Sequence, residues 1–253
     1  MDEPGPFTAD HEAEPEARPG TVTLECRVLR KTYAHLRIRE PAAEARLSAS
    51  IAEVGQRSPV LVVHDADGYP VLIDGYRRVH ALARLGQDTV SALALGLSEA
   101  DALVYCHRQE SSRHRSIVEE AWLVRELHGQ GPSLAAIGLA LGRSTSWVSR
   151  RVALLAALPE SVQDAVHEGR VSAHGAMKSL VPLARANKVQ CEQLLQALGE
   201  GRITTRQLAE LHAAWRAGDS EQRERIVGAP RLFLRALRDV NYIHPSATIT
   251  SPH

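Results

Sequence analysis

Near residue 110 the hydrophobic periodicity of the chain changes for good. Upstream, short alternating or β-branched runs at Thr21–Val28, Pro59–His64, Tyr69–Ile73 and Thr89–Leu95 read as strands. The turn Asp65–Gly68 makes a hairpin of the second and third. Between them lie two helical stretches. Ala42–Val54 carries Leu47, Ile51 and Val54 on one face and is closed by Gly55; Tyr76–Leu85 is closed by Gly86. The order β-α-β-β-α-β predicts a small α/β domain over residues 21–107. Downstream only helical spacing remains, at Ser116–His128, Ser133–Leu141, Ser144–Ala157, Pro159–Glu168, Ser172–Leu183, Lys188–Leu198 and Thr204–Trp215. Most of these segments open on Ser, Thr or Pro, the residues suited to N-cap and N1 positions. The expected fold class is therefore α+β, a small α/β domain followed by an all-α domain over residues 108–216. Residues 1–20 read as a disordered acidic leader, and residues 217–253 as a short helical tail with a frayed end. The tail helix, Pro230–Val240, fits either a dimer interface or packing back on the bundle.

Within the helical part, Ser133–Leu155 predicts a helix-turn-helix. Leu134, Ile137 and Leu141 face inward on the first helix, and Val148, Val152 and Leu155 on the second. Gly138 is costly in a helix interior, by about 1 kcal/mol relative to Ala, unless a crossing backbone comes too close for a side chain. Gly142 suits a left-handed turn residue and Ser144 an N-cap. The outward side of the second helix then presents Arg143, Ser144, Thr145, Ser146, Ser149, Arg150 and Arg151 with no acid among them. Short hydroxyl side chains let a backbone approach the major groove, and arginines reach guanine edges or phosphates. A plain helical hairpin with a solvated arginine face is the alternative. Trp147 fits either stacking on a sugar or packing into the bundle.

A second constellation follows the third strand. Gly75 turns the chain into a helix whose first turn holds Arg77 and Arg78. Two cations at the positive end of a helix dipole point to an anion, either a polyphosphate or nearby carboxylates. Asp74 is a potential carboxylate base or merely the cap of that helix.

Composition narrows the classes. The 30 basic and 30 acidic residues give zero formal net charge, so bulk charge argues for no particular partner. All basic residues except Lys31, Lys178 and Lys188 are arginine, which suits phosphate and guanine recognition but also follows from a GC-rich genome. Cys26, Cys106 and Cys191 are odd in number and form no CxxC, so neither a disulfide framework nor a metal site is expected. His107 and His114 lack ligand spacing and read as surface residues. No apolar run reaches membrane-span length, and the N-terminus is unlike a signal peptide, so a cytoplasmic protein is expected.

The run VLIDGYRRVHALARLG resembles the Gly-Glu-Arg-Arg box of ParB-type DNA-partition proteins, and Gly55-Gln56-Arg57-Ser58-Pro59-Val60-Leu61-Val62 resembles that family's upstream glycine–proline motif. The helix-turn-helix and LPESVQDAVHEGRVSAHGAMKSL resemble its central domain, and the similarity spans roughly residues 24 to 215. The resemblance implies a pocket for CTP with Mg2+, to which Gly55, Pro59, Gly75, Arg77 and Arg78 are carried over. It adds Glu110 and Arg113, at the outer spacing of the family's Glu-Asn-x-x-Arg motif. Tyr76 stands where the family has glutamate, and Ser111 where it has asparagine. It further implies double-stranded DNA as partner, a homodimer that closes as a clamp, nucleoid or plasmid association, possible weak CTP hydrolysis, and a partition ATPase. The family meets that ATPase through a basic arm, where this leader is acidic. The alternatives are a DNA-binding regulator or mobile-element accessory protein with a degenerate pocket, and a kinase-like enzyme on the same small domain.

Overall fold

A computed structural model describes residues 21–109 and 115–243 of the chain. The expected leader, Glu110, Ser111, Arg113 and His114, and the frayed end lie outside the described residues. The chain divides into two compact units, the first ending at Leu155 and the second beginning at Ala156, so the change from mixed to helical structure falls inside the first unit.

The first unit runs β1 (Val22–Glu25), a 3-10 turn (Thr32–Leu36), α1 (Pro41–Val54), β2 (Val60–His64), β3 (Pro70–Asp74), α2 (Tyr76–Arg84), β4 (Thr89–Ala94), α3 (Glu99–Gln109), α4 (Ile117–Gly129), α5 (Leu134–Leu141) and the start of α6 (Thr145–Ala157). Its strands are ordered β1-β4-β2-β3, with β2 and β4 parallel and the outer pairings antiparallel. Val60, Val62 and Val63 are wholly buried, as an interior strand requires. The β2–β3 hairpin turns at Gly68, and Asp65 Oδ1 accepts from the Asp67 and Tyr69 amides. Ile51 of α1 and Val79 and Leu82 of α2 complete a core with Val60, Val62, Leu72, Val90 and Ala92. This is an α+β fold.

The second unit is helical: α7 (Glu160–His167), α8 (Ala173–Gly175), a π turn (Ala176–Leu180), α9 (Val181–Ala186), α10 (Lys188–Leu198), α11 (Thr205–Ala217), α12 (Ser220–Gly228) and α13 (Pro230–Ile243). The π turn precedes Pro182, whose missing amide donor interrupts the ordinary ladder. Asn187, Thr204 and Asp219 cap α10, α11 and α12 through their side chains. Between the two readings left open for the tail helix, the structure shows packing inside the unit. Leu234 is buried, and Arg231 donates to the carbonyls of Leu198 at 3.0 and 2.8 Å and of Gly201 at 3.0 Å. Among the described residues no helix is long and apolar enough to cross a membrane.

Candidate functional site

Two constellations in the first unit carry chemistry. The first is the start of α2. Gly75 is its N-cap, with φ of 105°, and a Cβ built there would lie 2.5 Å from Val60 Cγ1 and 2.8 Å from Val60 Cβ. Glycine is demanded twice, by the backbone angle and by the wall of β2. Asp74 does not cap this helix. Its carboxylate meets Arg78 Nη2 at 2.8 Å and Arg37 Nη2 at 3.7 Å, because a left-handed N-cap glycine already makes the turn. Arg78 Nη1 also donates to the carbonyls of Ser58 at 3.1 Å and Pro59 at 2.5 Å, tying the glycine–proline loop to the arginine box. The structure thus brings Pro59, Gly75 and Arg78 together. Arg77 turns to Glu40 Oε2 at 3.2 Å. The carboxylate alternative for both arginines is what this structure contains.

Gly55 ends α1 with φ of 73°. The next residue, Gln56, stands in the glycine–proline motif without a role assigned to it from sequence. Its amide donates to the carbonyls of Ser58 at 2.9 Å and Ser91 at 2.7 Å and accepts from the Ser91 amide at 2.9 Å, riveting the loop to β4. Tyr76 points inward: its hydroxyl donates to the Leu72 carbonyl, and burial pushes its ionisation well above the usual phenol range.

The second constellation is the pair α5 and α6 with the turn between them, where the sequence predicts a helix-turn-helix. At Gly138 a Cβ would stand 2.8 Å from the Arg143 carbonyl oxygen, so the returning turn occupies the space of a side chain. Gly142 is left-handed with φ of 64°, and the Arg143 amide bonds the Gly138 carbonyl at 2.7 Å. Ser144 Oγ accepts from the Trp147 amide at 3.2 Å and so caps α6. Val148 is buried, whereas Arg143, Ser144, Thr145, Ser146, Ser149 and Arg150 are all exposed along one stretch of surface. Arg151 is not part of that surface. Its side chain is only 16% exposed and donates twice to Glu120 Oε2, at 3.0 and 2.6 Å, fastening α6 to α4. Trp147 is half-buried, with the Arg143 and Arg151 guanidiniums 5.5 and 4.3 Å from its ring centre. Gly138→Ala is expected to destabilise the turn by about 1–3 kcal/mol despite alanine's better helix propensity, because the obstructing atom is backbone. A urea melt reads the loss; an unchanged or raised midpoint refutes the close approach.

His107 is not the surface residue its sequence context suggests. It is half-buried on α3 with Nδ1 sealed from solvent, and burial, reinforced by Arg115, Arg143, Arg37 and Arg108, brings it down to about 4. The folded state therefore favours neutral imidazole, while the unfolded chain protonates near its ordinary value. Stability attributable to this group is complete above about pH 6.5 and declines as the pH falls toward about 4. His107→Gln should flatten that part of a stability–pH profile measured by denaturant melts. An unaltered profile counts against the burial of the ring.

The glycine–proline loop, the arginine box and the helix-turn-helix occur here in one order on one fold, and the sequence comparison agrees. Over 175 residues the chain is 32% identical to stage 0 sporulation protein J of Bacillus subtilis (strain 168), covering 67% of this chain and 59% of that protein. The chain belongs to the ParB-type family. It spans about three-fifths of the length of this ParB-type relative. No family model matches the chain. Among solved structures, the C-terminally truncated chromosome-partitioning protein ParB from Caulobacter crescentus complexed to the centromeric parS site is similar at 23% identity and a TM-score of 0.36, covering 76% of this chain and 98% of that one. The same protein complexed with CTP-gamma-S gives 22% identity and a TM-score of 0.34, over 75% and 99%. The sulfiredoxin from Arabidopsis thaliana gives 25% identity and a TM-score of 0.28, over 30% and 84%.

Proposed function

We propose that the chain is a sequence-specific DNA-binding protein of the partition type, which reads its site through α6 and takes CTP at the start of α2. The observation that supports the DNA reading best is the exposure of Thr145, Ser146, Ser149 and Arg150 on a helix whose other side is fixed in the core. With Arg143 they form a hydroxyl-and-guanidinium surface of the kind that enters a major groove. Arg151 acts as the anchor that holds this surface in place rather than as a reader.

The nucleotide reading rests on fit. The first turn of α2 carries Arg77 and Arg78 and no acid, at the helix end that favours anions. Gly75 makes the left-handed turn into this helix, where a Cβ would collide with Val60. CTP, when bound with Mg2+, would bring phosphate charge to the two guanidiniums, which Asp74 and Glu40 meet in this structure. Arg77 would take a phosphate, while Arg78 holds the Ser58–Pro59 loop in position beside it. Glu110 and Arg113 belong to the same proposed pocket. Closure of the first domain as a clamp-like homodimer, weak hydrolysis of CTP and engagement of a partition ATPase complete this reading.

The inward hydrogen bond of Tyr76, at the position of the family's glutamate, favours a second reading: a DNA-binding regulator that no longer uses nucleotide. Two measurements test the pair. Immunoprecipitation of bound DNA should enrich a discrete near-palindromic site, and calorimetry should detect CTP binding. Enrichment without CTP affinity selects the regulator; no enrichment of any site sinks both.

A further inference from the structure

We infer that Glu40 is a resident counter-anion of the arginine box, which a phosphate must displace in order to reach Arg77; this rests on the nucleotide reading of the site. The first turn of α2 would place two guanidiniums at the positive pole of a helix with nothing in that helix to offset them. Two carboxylates from outside supply the offset, and they differ in kind. Asp74 is local. It pairs with Arg78 from the end of β3, and Arg78 is further committed to the Ser58 and Pro59 carbonyls, so this pair is part of the framework. Glu40 comes from a different element. It occupies the N-cap position of α1 and makes no side-chain capping bond there. Its carboxylate reaches instead to Arg77 Nη2 at 3.2 Å.

The exposures match an exchangeable contact. The Glu40 side chain is 46% exposed and that of Arg77 26%, so water and a dissolved anion reach the carboxylate while the guanidinium stays largely sheltered. The segment that carries Glu40 has other holds. The Ile38 amide donates to Glu119 Oε1 at 3.1 Å, Arg37 lies 3.7 Å from Asp74, and Pro41 opens α1 in the correct backbone conformation without any cap. Glu40 can therefore leave Arg77 without dismantling the start of α1. A phosphate brings more charge and a better match to the guanidinium fork than one carboxylate oxygen. The ligand class is a polyphosphate, whether free or part of a nucleoside triphosphate.

Glu40→Gln retains the shape and removes the competing charge. Calorimetry on the full chain, wild type and variant, with CTP plus Mg2+ and separately with inorganic tripolyphosphate, gives the test. The variant should bind each ligand about two- to five-fold tighter, the scale of a partly exposed ion pair that no longer competes. Wild-type or weaker affinity of the variant for both ligands overturns the inference while leaving the nucleotide reading intact. A gain for tripolyphosphate with no CTP binding by either protein upholds the counter-anion and overturns the nucleotide reading. Binding of neither ligand to either protein ends both. Should the glutamine variant lose its melting transition, Glu40→Asp carries the same comparison with a smaller gain, because its shorter arm weakens the contact with Arg77.

Discussion

Gly75→Ala should lower the stability of the first unit by about 3 kcal/mol, combining a left-handed backbone that alanine resists with a collision in the core. Both contributions come from the local geometry: φ of 105° and a Cβ 2.5 Å from Val60 Cγ1. Val60 has no accessible surface and sits on an interior strand, so it has nowhere to move. For a chain of this size the melting temperature should fall by about 6–12 °C. The same change should displace α2 from the glycine–proline loop, so the CTP affinity proposed for this site should be lost in variants that remain folded. A melting temperature within a degree of wild type would mean that the turn at Gly75 does not press on β2.

Arg150→Ala acts on the other constellation. Its side chain is exposed next to Ser149 on the open side of α6, and truncation removes no buried contact. Folding stability should hold within about 0.5 kcal/mol. Specific DNA affinity should fall by about 1–3 kcal/mol, roughly 5- to 150-fold in Kd, if the guanidinium meets a guanine edge, with discrimination relaxed at that base pair. A uniform loss across specific and random duplexes, together with a shallower salt dependence, would reassign it to a phosphate. Unchanged binding on a mapped site removes Arg150 from the reading surface altogether.

Much of this fold could be read ahead of the structure where the signal is local. The β-α-β-β-α-β order came from period-2 and period-3.6 runs, and the helix-turn-helix from two glycines and a serine within a dozen residues. The element α3 escaped because Ala100–Cys106 is nearly all apolar and so shows no helical period. Its start was nonetheless marked by Ser98, whose hydroxyl accepts from the Asp101 amide at 3.1 Å. Similarly, α12 was announced by the Asp219–Gln222 capping box in a stretch otherwise too polar to show periodicity.

The candidate sites were legible in their arginines, glycines and hydroxyl residues, but not in the partners of the arginines. Which acid each one meets depends on elements brought together by folding. Glu40 arrives from α1, and Glu120 from α4 removes Arg151 from the outward surface. Glu119, almost completely buried, shows the same dependence. Its two oxygens accept from Ile38 and Ser116, joining the loop before α1 to the start of α4. No spacing rule reaches across eighty residues of chain, so the charge pattern showed where cations gather without showing how they are engaged.

The placement of Trp147 gives the reading helix a built-in optical gauge. Indole emission responds to charges near the ring, and two guanidiniums lie close to this ring, one of which, Arg143, is exposed on the surface proposed to meet DNA. Drawing Arg143 toward a phosphate would change the electric field at the indole while Arg151, clasped by Glu120, stays in place. With Trp122 and Trp215 each replaced by phenylalanine, the remaining fluorescence would follow association on an unlabelled duplex in real time.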